Sequence, residues 1–260
     1  MTYIDYVRPR DLVGAVRAVS PIREAARRIA AVAIVSTGAA VAVSGAIAAR
    51  RDKIPFTYIE SLARVDRLST TAKILSPVPG VDRFVQSEAL VSNRFSYAGS
   101  ILDDFTIEKR LPREESERLR IFVTLGTIRP YGFNRLLAAL DELTKTDDVV
   151  WQVGESTYVP SHGLIVRSMD RGKLLEQLRI ADVVVSHAGV GSILAALGEG
   201  RVPLVVSRKK KFGEHIDDHQ LDIARMLDAR GLVRSAEVDE IDRGMLVSTT
   251  GLLSKVRVAS

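Results

Sequence analysis

The chain has 260 residues, 46% hydrophobic and 27% charged, with a net charge of +5 and no cysteine. That length and balance supply a core for one large or two small globular domains and argue against wholesale disorder. The missing cysteines remove disulfides, thiolate nucleophiles and cysteine zinc sites, and an aromatic share of 5% not interleaved with basic residues argues against a nucleic-acid surface.

Along the chain, residues 1–11 are polar and mixed, and lack the apolar core of a signal peptide. Helix 21–30, strand 31–36, helix 39–50 and strand 54–59 follow. Residues 29–49 carry no charge and are long enough to span a bilayer, but Ser36, Thr37 and Gly38 interrupt them and alanine and valine dominate. They are expected to form a buried strand, a turn and a small-residue helix packed closely on a sheet. Residues 96–120, with the run Lys109 to Arg118 and Pro112, read as a linker between a domain at 1–95 and one at 121–260. In the second domain, strands are expected at 121–125, 148–153, 163–168, 182–186, 203–207 and 232–235. Helices are expected at 132–145, 171–180, 190–199, 218–229 and 238–247. This alternation predicts an α/β protein with mainly parallel sheets.

Three segments can carry chemistry. The apolar strand Asp182 to Ser186 runs through His187 and Ala188 into Gly189-Val190-Gly191-Ser192 and a helix. Glycines there admit a ligand to the backbone, the helix start offers free N–H groups that suit a diphosphate, and Ser192 adds a donor or a cap. A tight turn with no ligand has the same local pattern. Leu125-Gly126-Thr127 ends another strand, and Trp151-Gln152-Val153-Gly154 a third, with Gln152 able to hold a base or ribose edge or to stand as a surface amide. Ligands of open α/β sheets bind outside the carboxyl ends of the strands, so these turns point at one crevice. In Gly213 to Gln220, Asp217 or Asp218 can cap the helix that follows, with His219 and Gln220 in its first turn. His215 and His219 are spaced as metal ligands on one helix face, but a helix start at Asp217 leaves His215 outside it and no third ligand is spaced to match, so no metal and no cofactor is assigned. Arg208 to Lys211 reads either as a solvated loop or as a contact for lipid phosphates.

Val-Thr-Leu-Gly-Thr at 123–127, Gln-x-Gly at 152–154, Ser-His-Ala-Gly-x-Gly-Ser at 186–192 and Gly-Glu-His-Ile-Asp-Asp-His-Gln at 213–220 together resemble the glycosyltransferase family 28 C-terminal domain, a family that includes MurG. The resemblance covers about 121–250 and implies that Gly126, Thr127, Gly189 to Ser192 and Asp218 to Gln220 contact a UDP-sugar. Many relatives place a glutamate on the helix after the second turn to hold the ribose; Ala195 stands there here, with Glu199 a turn further on. The first part resembles the membrane-associated partner subunit of a two-subunit lipid-linked N-acetylglucosaminyltransferase and its bacterial exopolysaccharide counterparts, through Val35 to Ala39, Tyr58 to Val65 and Phe84 to Glu88. That family begins with a strand and a Gly-Gly-His turn, so the first domain is expected to be shortened at its start. A misplaced start codon, a separate chain supplying the missing unit and a decaying gene all fit.

The resemblance therefore implies a GT-B-type glycosyltransferase of two Rossmann-like domains. It would be an inverting, metal-independent hexosyltransferase acting from a UDP-sugar to a lipid-linked acceptor in cell-surface polysaccharide or glycolipid synthesis. The expected setting is cytoplasmic, peripheral at the inner face of the membrane, with a protein partner for the missing unit. Glu60, at a strand end, is a candidate base or a brace for Arg64; His187 is a second candidate base or a shaper of its turn. Two other readings stay open: a non-catalytic or degenerate nucleotide-sugar-binding subunit, and another Rossmann enzyme such as a UDP-sugar epimerase or an NAD-dependent oxidoreductase. The absence of a G-x-G-x-x-G opening counts against NAD.

Overall fold

The computed structural model describes residues 7, 11–97, 99–126, 130–214 and 219–257, apart from the side chains of Leu12 and His219. The chain divides into two compact units, 1–101 and 102–260.

The first unit opens with α1 (Leu12–Arg28), capped by the Asp11 carboxylate on the Gly14 N–H at 2.7 Å. The helix begins well before the expected 21–30 and runs through Pro21. Proline removes one donor but does not stop the helix, because Ala15, Ala18 and Val19 before it are buried. Segment 29–49 forms β1 (Ile34–Ser36), a turn and the start of α2 (Val41–Asp52), the order expected, but the strand is shorter than 31–36 and not buried: it lies at the sheet edge, with Val32 and Val35 exposed. At Gly45 an added Cβ would lie 2.9 Å from the Phe56 ring, so α2 packs closely on the sheet. Then come β2 (Phe56–Ile59), α3 (Thr70–Leu75), β3 (Val81–Val85) and β4 (Ser96–Tyr97). The sheet is parallel in the order β1-β2-β3-β4.

The second unit opens with β5 (Phe105–Lys109), a strand inside the segment read as a linker. It pairs antiparallel with β12 (Leu252–Val256) at the other end of the unit, and both stay partly exposed. Between them lie β6 (Arg120–Thr124), α4 (Asn134–Leu143), β7 (Asp148–Gln152), β8 (Leu164–Val166), α5 (Arg171–Ile180) and β9 (Val183–His187). There follow α6 (Val190–Gly198), β10 (Leu204–Val206), α7 (His219–Ala229), β11 (Arg234–Ala236) and α8 (Arg243–Thr249). The helix expected at 238–247 is divided: a short 3-10 turn at 238–240 precedes α8, whose cap is Asp242.

The main sheet is parallel, in the order β11-β10-β9-β6-β7-β8. Counted from β6, that is the doubly wound Rossmann order, which reverses direction between β6 and β9. Alternate strand residues feed two faces. Ile121, Val123, Trp151, Val183 and Val185 pack with Leu136, Leu140 and Leu246 from α4 and α8. Phe122 and Val184 pack with Leu178 and Ala196 from α5 and α6. The architecture is α/β with parallel sheets, and the second unit is Rossmann-like. Among the described residues, no helix is long and apolar enough to cross a membrane.

Candidate functional site

The order reversal between β6 and β9 marks the crevice position, outside the carboxyl ends of the strands, where open α/β sheets bind ligands. Its floor is a series of close contacts. His187, buried at the end of β9, has its Nδ1 3.4 Å from the Thr124 carbonyl. A Cβ at Gly126 would lie 2.7 Å from the ring Cε1, and one at Gly189 only 2.3 Å from Nε2. Gly126 also takes φ of +67°, which favours glycine. At Gly154 a Cβ would lie 2.4 Å from the Gly126 carbonyl. The turns after β6, β7 and β9 thus pack on one imidazole and on each other.

Above this floor there is room. Among the described residues, a Cβ at Gly191 would meet nothing within 4 Å. Gly191 and Ser192 lie in the first turn of α6, whose cap residue Gly189 offers no side chain to the free N–H groups. A helix end without a side-chain cap can receive a ligand, and its dipole favours an anion.

Other expected site residues are placed differently. Gln152 is buried, and its Oε1 accepts the Thr124 hydroxyl at 2.6 Å, a β6–β7 tie and not a surface amide. Gln220 is buried too: its Oε1 accepts the Arg208 backbone N–H at 3.2 Å, which fastens the start of α7 to the end of β10. Thr127, Asp217, Asp218 and His215 lie outside the described residues, as does the side chain of His219. Glu199, at the far end of α6, is about 12 Å along the helix from Gly191 and is paired with Arg179 at 2.9 Å. Ala195 packs against the Phe122–Leu178 cluster.

Glu60 belongs to the first unit and follows β2. It is buried, and its carboxylate accepts the Tyr58 hydroxyl at 2.9 Å and the Ser61 and Ser69 amides at 2.8 Å each. It thus joins the strand end to the cap of α3. Burial, with the Glu60 charge adding to it, raises the Tyr58 hydroxyl above the usual tyrosine range.

The model of the glycosyltransferase family 28 C-terminal domain matches residues 120–246, which hold this whole crevice. The human protein named UDP-N-acetylglucosamine transferase subunit ALG13 is 35% identical over 121 residues, covering 43% of this chain and 10% of that protein. The Yarrowia lipolytica protein of the same name is 39% identical over 69 residues, 26% of this chain and 33% of that one. The chain thus spans a tenth to a third of these relatives' lengths. Among solved structures, Acinetobacter baumannii MurG matches with a TM-score of 0.57 at 18% identity, covering 94% of this chain and 72% of its own. The glycosyltransferase SnogD from Streptomyces nogalater matches with a TM-score of 0.59 at 20% identity, covering 90% and 68%. A putative UDP-N-acetylglucosamine 2-epimerase from Listeria monocytogenes also matches, with a TM-score of 0.51 at 13% identity, covering 95% and 76%. Such likenesses show the GT-B fold, which an epimerase shares; the family match is what separates the two.

Residues 120–246 also hold side chains that the sequence pattern did not single out. Arg208, read with the lysines as part of a basic run, is buried at 1% exposure, and Lys209 pairs with Glu237 at 2.5 Å. Lys210 to Phe212 form a short 3-10 turn, with Phe212 exposed between Arg135 and Lys211. Buried Glu214 accepts from Arg135 at 3.2 and 3.3 Å and from the Lys209 amide at 3.0 Å, so the expected ligand motif at 213–220 begins with a loop-closing carboxylate. A charge run gives no sign of which member turns inward.

Proposed function

We propose that the family 28 domain binds a UDP-sugar in the β6–β9 crevice and passes the sugar to a lipid-linked acceptor, with inversion and without a metal. The observation that carries this reading is the glycine floor under an open α6 terminus: Gly126 and Gly189 closed down on His187, with free space over Gly191. UDP-N-acetylglucosamine is the first donor to test, since the ALG13 relatives are named for it. The acceptor hydroxyl attacks the anomeric carbon, the bond to the diphosphate breaks, and UDP leaves with the electron pair. The α6 terminus at Gly189 to Ser192 and the start of α7 at His219 and Gln220 stabilise the charge on the leaving diphosphate. His187, wedged between two glycines, shapes the floor in this reading. Glu60 remains the candidate for the acceptor proton, and its three bonds in the first unit make that role a matter for mutation.

Calorimetric titration with UDP of wild type and Gly191→Trp tests the site. Micromolar-range binding lost only in the variant supports it; a folded wild type that binds no UDP sinks it. A second reading has its own support: the relatives are named as subunits, and no glutamate stands at position 195. In that case the chain binds UDP but transfers sugar only when a partner chain is added, at the inner membrane face where a lipid-linked acceptor is presented. Transfer from UDP-N-acetylglucosamine by the chain alone would remove this second reading.

A further inference from the structure

Arg208 follows β10, yet its Nη2 donates to the carbonyl of Leu125, just past β6, at 2.7 Å. In the sheet, β9 lies between β10 and β6. The side chain therefore crosses the end of β9, a span of two strand spacings or roughly 9–10 Å, and brings its guanidinium to the order reversal. The Phe133 ring lies beside it, 5.8 Å from the guanidinium carbon. The side chain is 1% exposed, and its Nε and Nη1 have no hydrogen-bond partner among the described residues. The carboxylate that acts on it electrostatically is Glu214, whose oxygens bond Arg135 and the Lys209 amide. Among the described residues one carboxylate thus serves two guanidinium groups, which leaves a surplus positive charge buried there. Burial lowers the Arg208 pKa to about 10, so the group remains charged at neutral pH. An unpaired buried cation is costly to keep, and water or a neutral ligand would not balance its charge.

We infer that Arg208 is the counter-charge for the donor's diphosphate, receiving phosphate oxygens on Nε and Nη1 while Nη2 holds the Leu125–Gly126 turn. This deepens the nucleotide-sugar reading and rests on it. The α6 terminus supplies neutral donors that any phosphate could use. Arg208 supplies net charge, which makes the site favour a diphosphate over a nucleoside. Its two free donors are closed to solvent without a ligand, so binding includes a local rearrangement that opens them.

The test is calorimetric titration of wild type, Arg208→Gln and Arg208→Lys with UDP, uridine and inorganic pyrophosphate, with thermal unfolding of each unliganded protein alongside. Arg208→Gln is expected to lose roughly 10- to 100-fold in affinity for UDP and pyrophosphate, the loss of one charge-assisted interaction, with uridine unchanged. Its unliganded melting temperature should equal or exceed that of wild type, because an unpaired buried charge is gone. Arg208→Lys should recover most of the preference for UDP over uridine. Wild-type UDP affinity in Arg208→Gln would overturn the assignment, as would an equal loss of UDP and uridine with a lower melting temperature. Wild type that binds pyrophosphate but not UDP would overturn the nucleotide reading and leave the anion role standing. Wild type that binds neither overturns both.

Discussion

The imidazole of His187 sets which glycines of the crevice can be replaced. Gly126 and Gly189 have no room for a Cβ against it, and Gly191 has only open space. Gly126→Ala and Gly189→Ala should each lose about 1–3 kcal/mol from overpacking, with Gly126 adding the strain of its positive φ. Gly191→Ala should be neutral or gain a few tenths of a kcal/mol from helix propensity, up to about 1. Urea denaturation checks all three, and adding His187→Ala to Gly189→Ala should restore part of the loss, a coupling between residues in contact. Equal destabilisation at 191 would show that the open space does not exist. Glu60 is decided at the same scale. Its carboxylate accepts three donors, and an amide in its place must turn an N–H₂ toward at least one of them. Glu60→Gln should therefore cost about 1–3 kcal/mol in urea. A Gln variant of wild-type stability that has lost sugar transfer would instead make Glu60 the proton acceptor.

Between elements, α1 is tied to α2 by one acid. Asp52, at the end of α2, takes Arg23 and Arg27 of α1, each at 2.6 Å, and these hydrogen bonds hold its pKa down at about 2. Since the folded value lies below the ordinary 3.8, the contribution is present in full above about pH 4 and is lost as pH falls through about 2. Asp52→Asn should lower the melting temperature at pH 7 and make little difference near pH 2; an equal effect at both would mean that packing, not charge, joins the helices. Helices with a marked start were legible in the sequence. For α5, expected at 171–180 and found there, Asp170 caps the Lys173 amide at 3.0 Å. The buried strands β6 and β9 and their glycine turns were legible through unbroken apolar runs. Strands β5 and β12 were not: Thr106, Glu108, Lys109 and Lys255 give them the look of surface chain, and their pairing joins segments more than a hundred residues apart. Arg208 was hidden because a buried cation and a solvated one have the same letter, and only the packing of β10 against β9 turns it inward.

Each unit has its own core, and the two cores differ in kind. In the first, Ala42, Ala46, Ala49 and Ala72 pack around Phe56 and Tyr58, so each buried residue removes little apolar surface from water. In the second, Trp151, Phe133 and a large set of leucines and valines fill one face of a six-stranded sheet, and Phe122 with Leu178 fills the other. Both strands of the antiparallel pair lie in the second unit, so a chain cut to 102–260 keeps its whole hydrogen-bonded frame. Scanning calorimetry of the full chain should then show two transitions, the lower from the first unit, and residues 102–260 alone should reproduce the upper one. A ligand stabilises only what it binds: at a hundred times its dissociation constant, UDP adds about 2.7 kcal/mol. The proposed diphosphate site at Gly126, Gly189 and Arg208 lies wholly in the second unit, so UDP should raise the upper transition and leave the lower in place. A single transition that moves as a whole with UDP would mean that the units unfold together and that the nucleotide acts on both. Two transitions of which only the lower moves would put the nucleotide in the first unit and remove the β6–β9 crevice as its site.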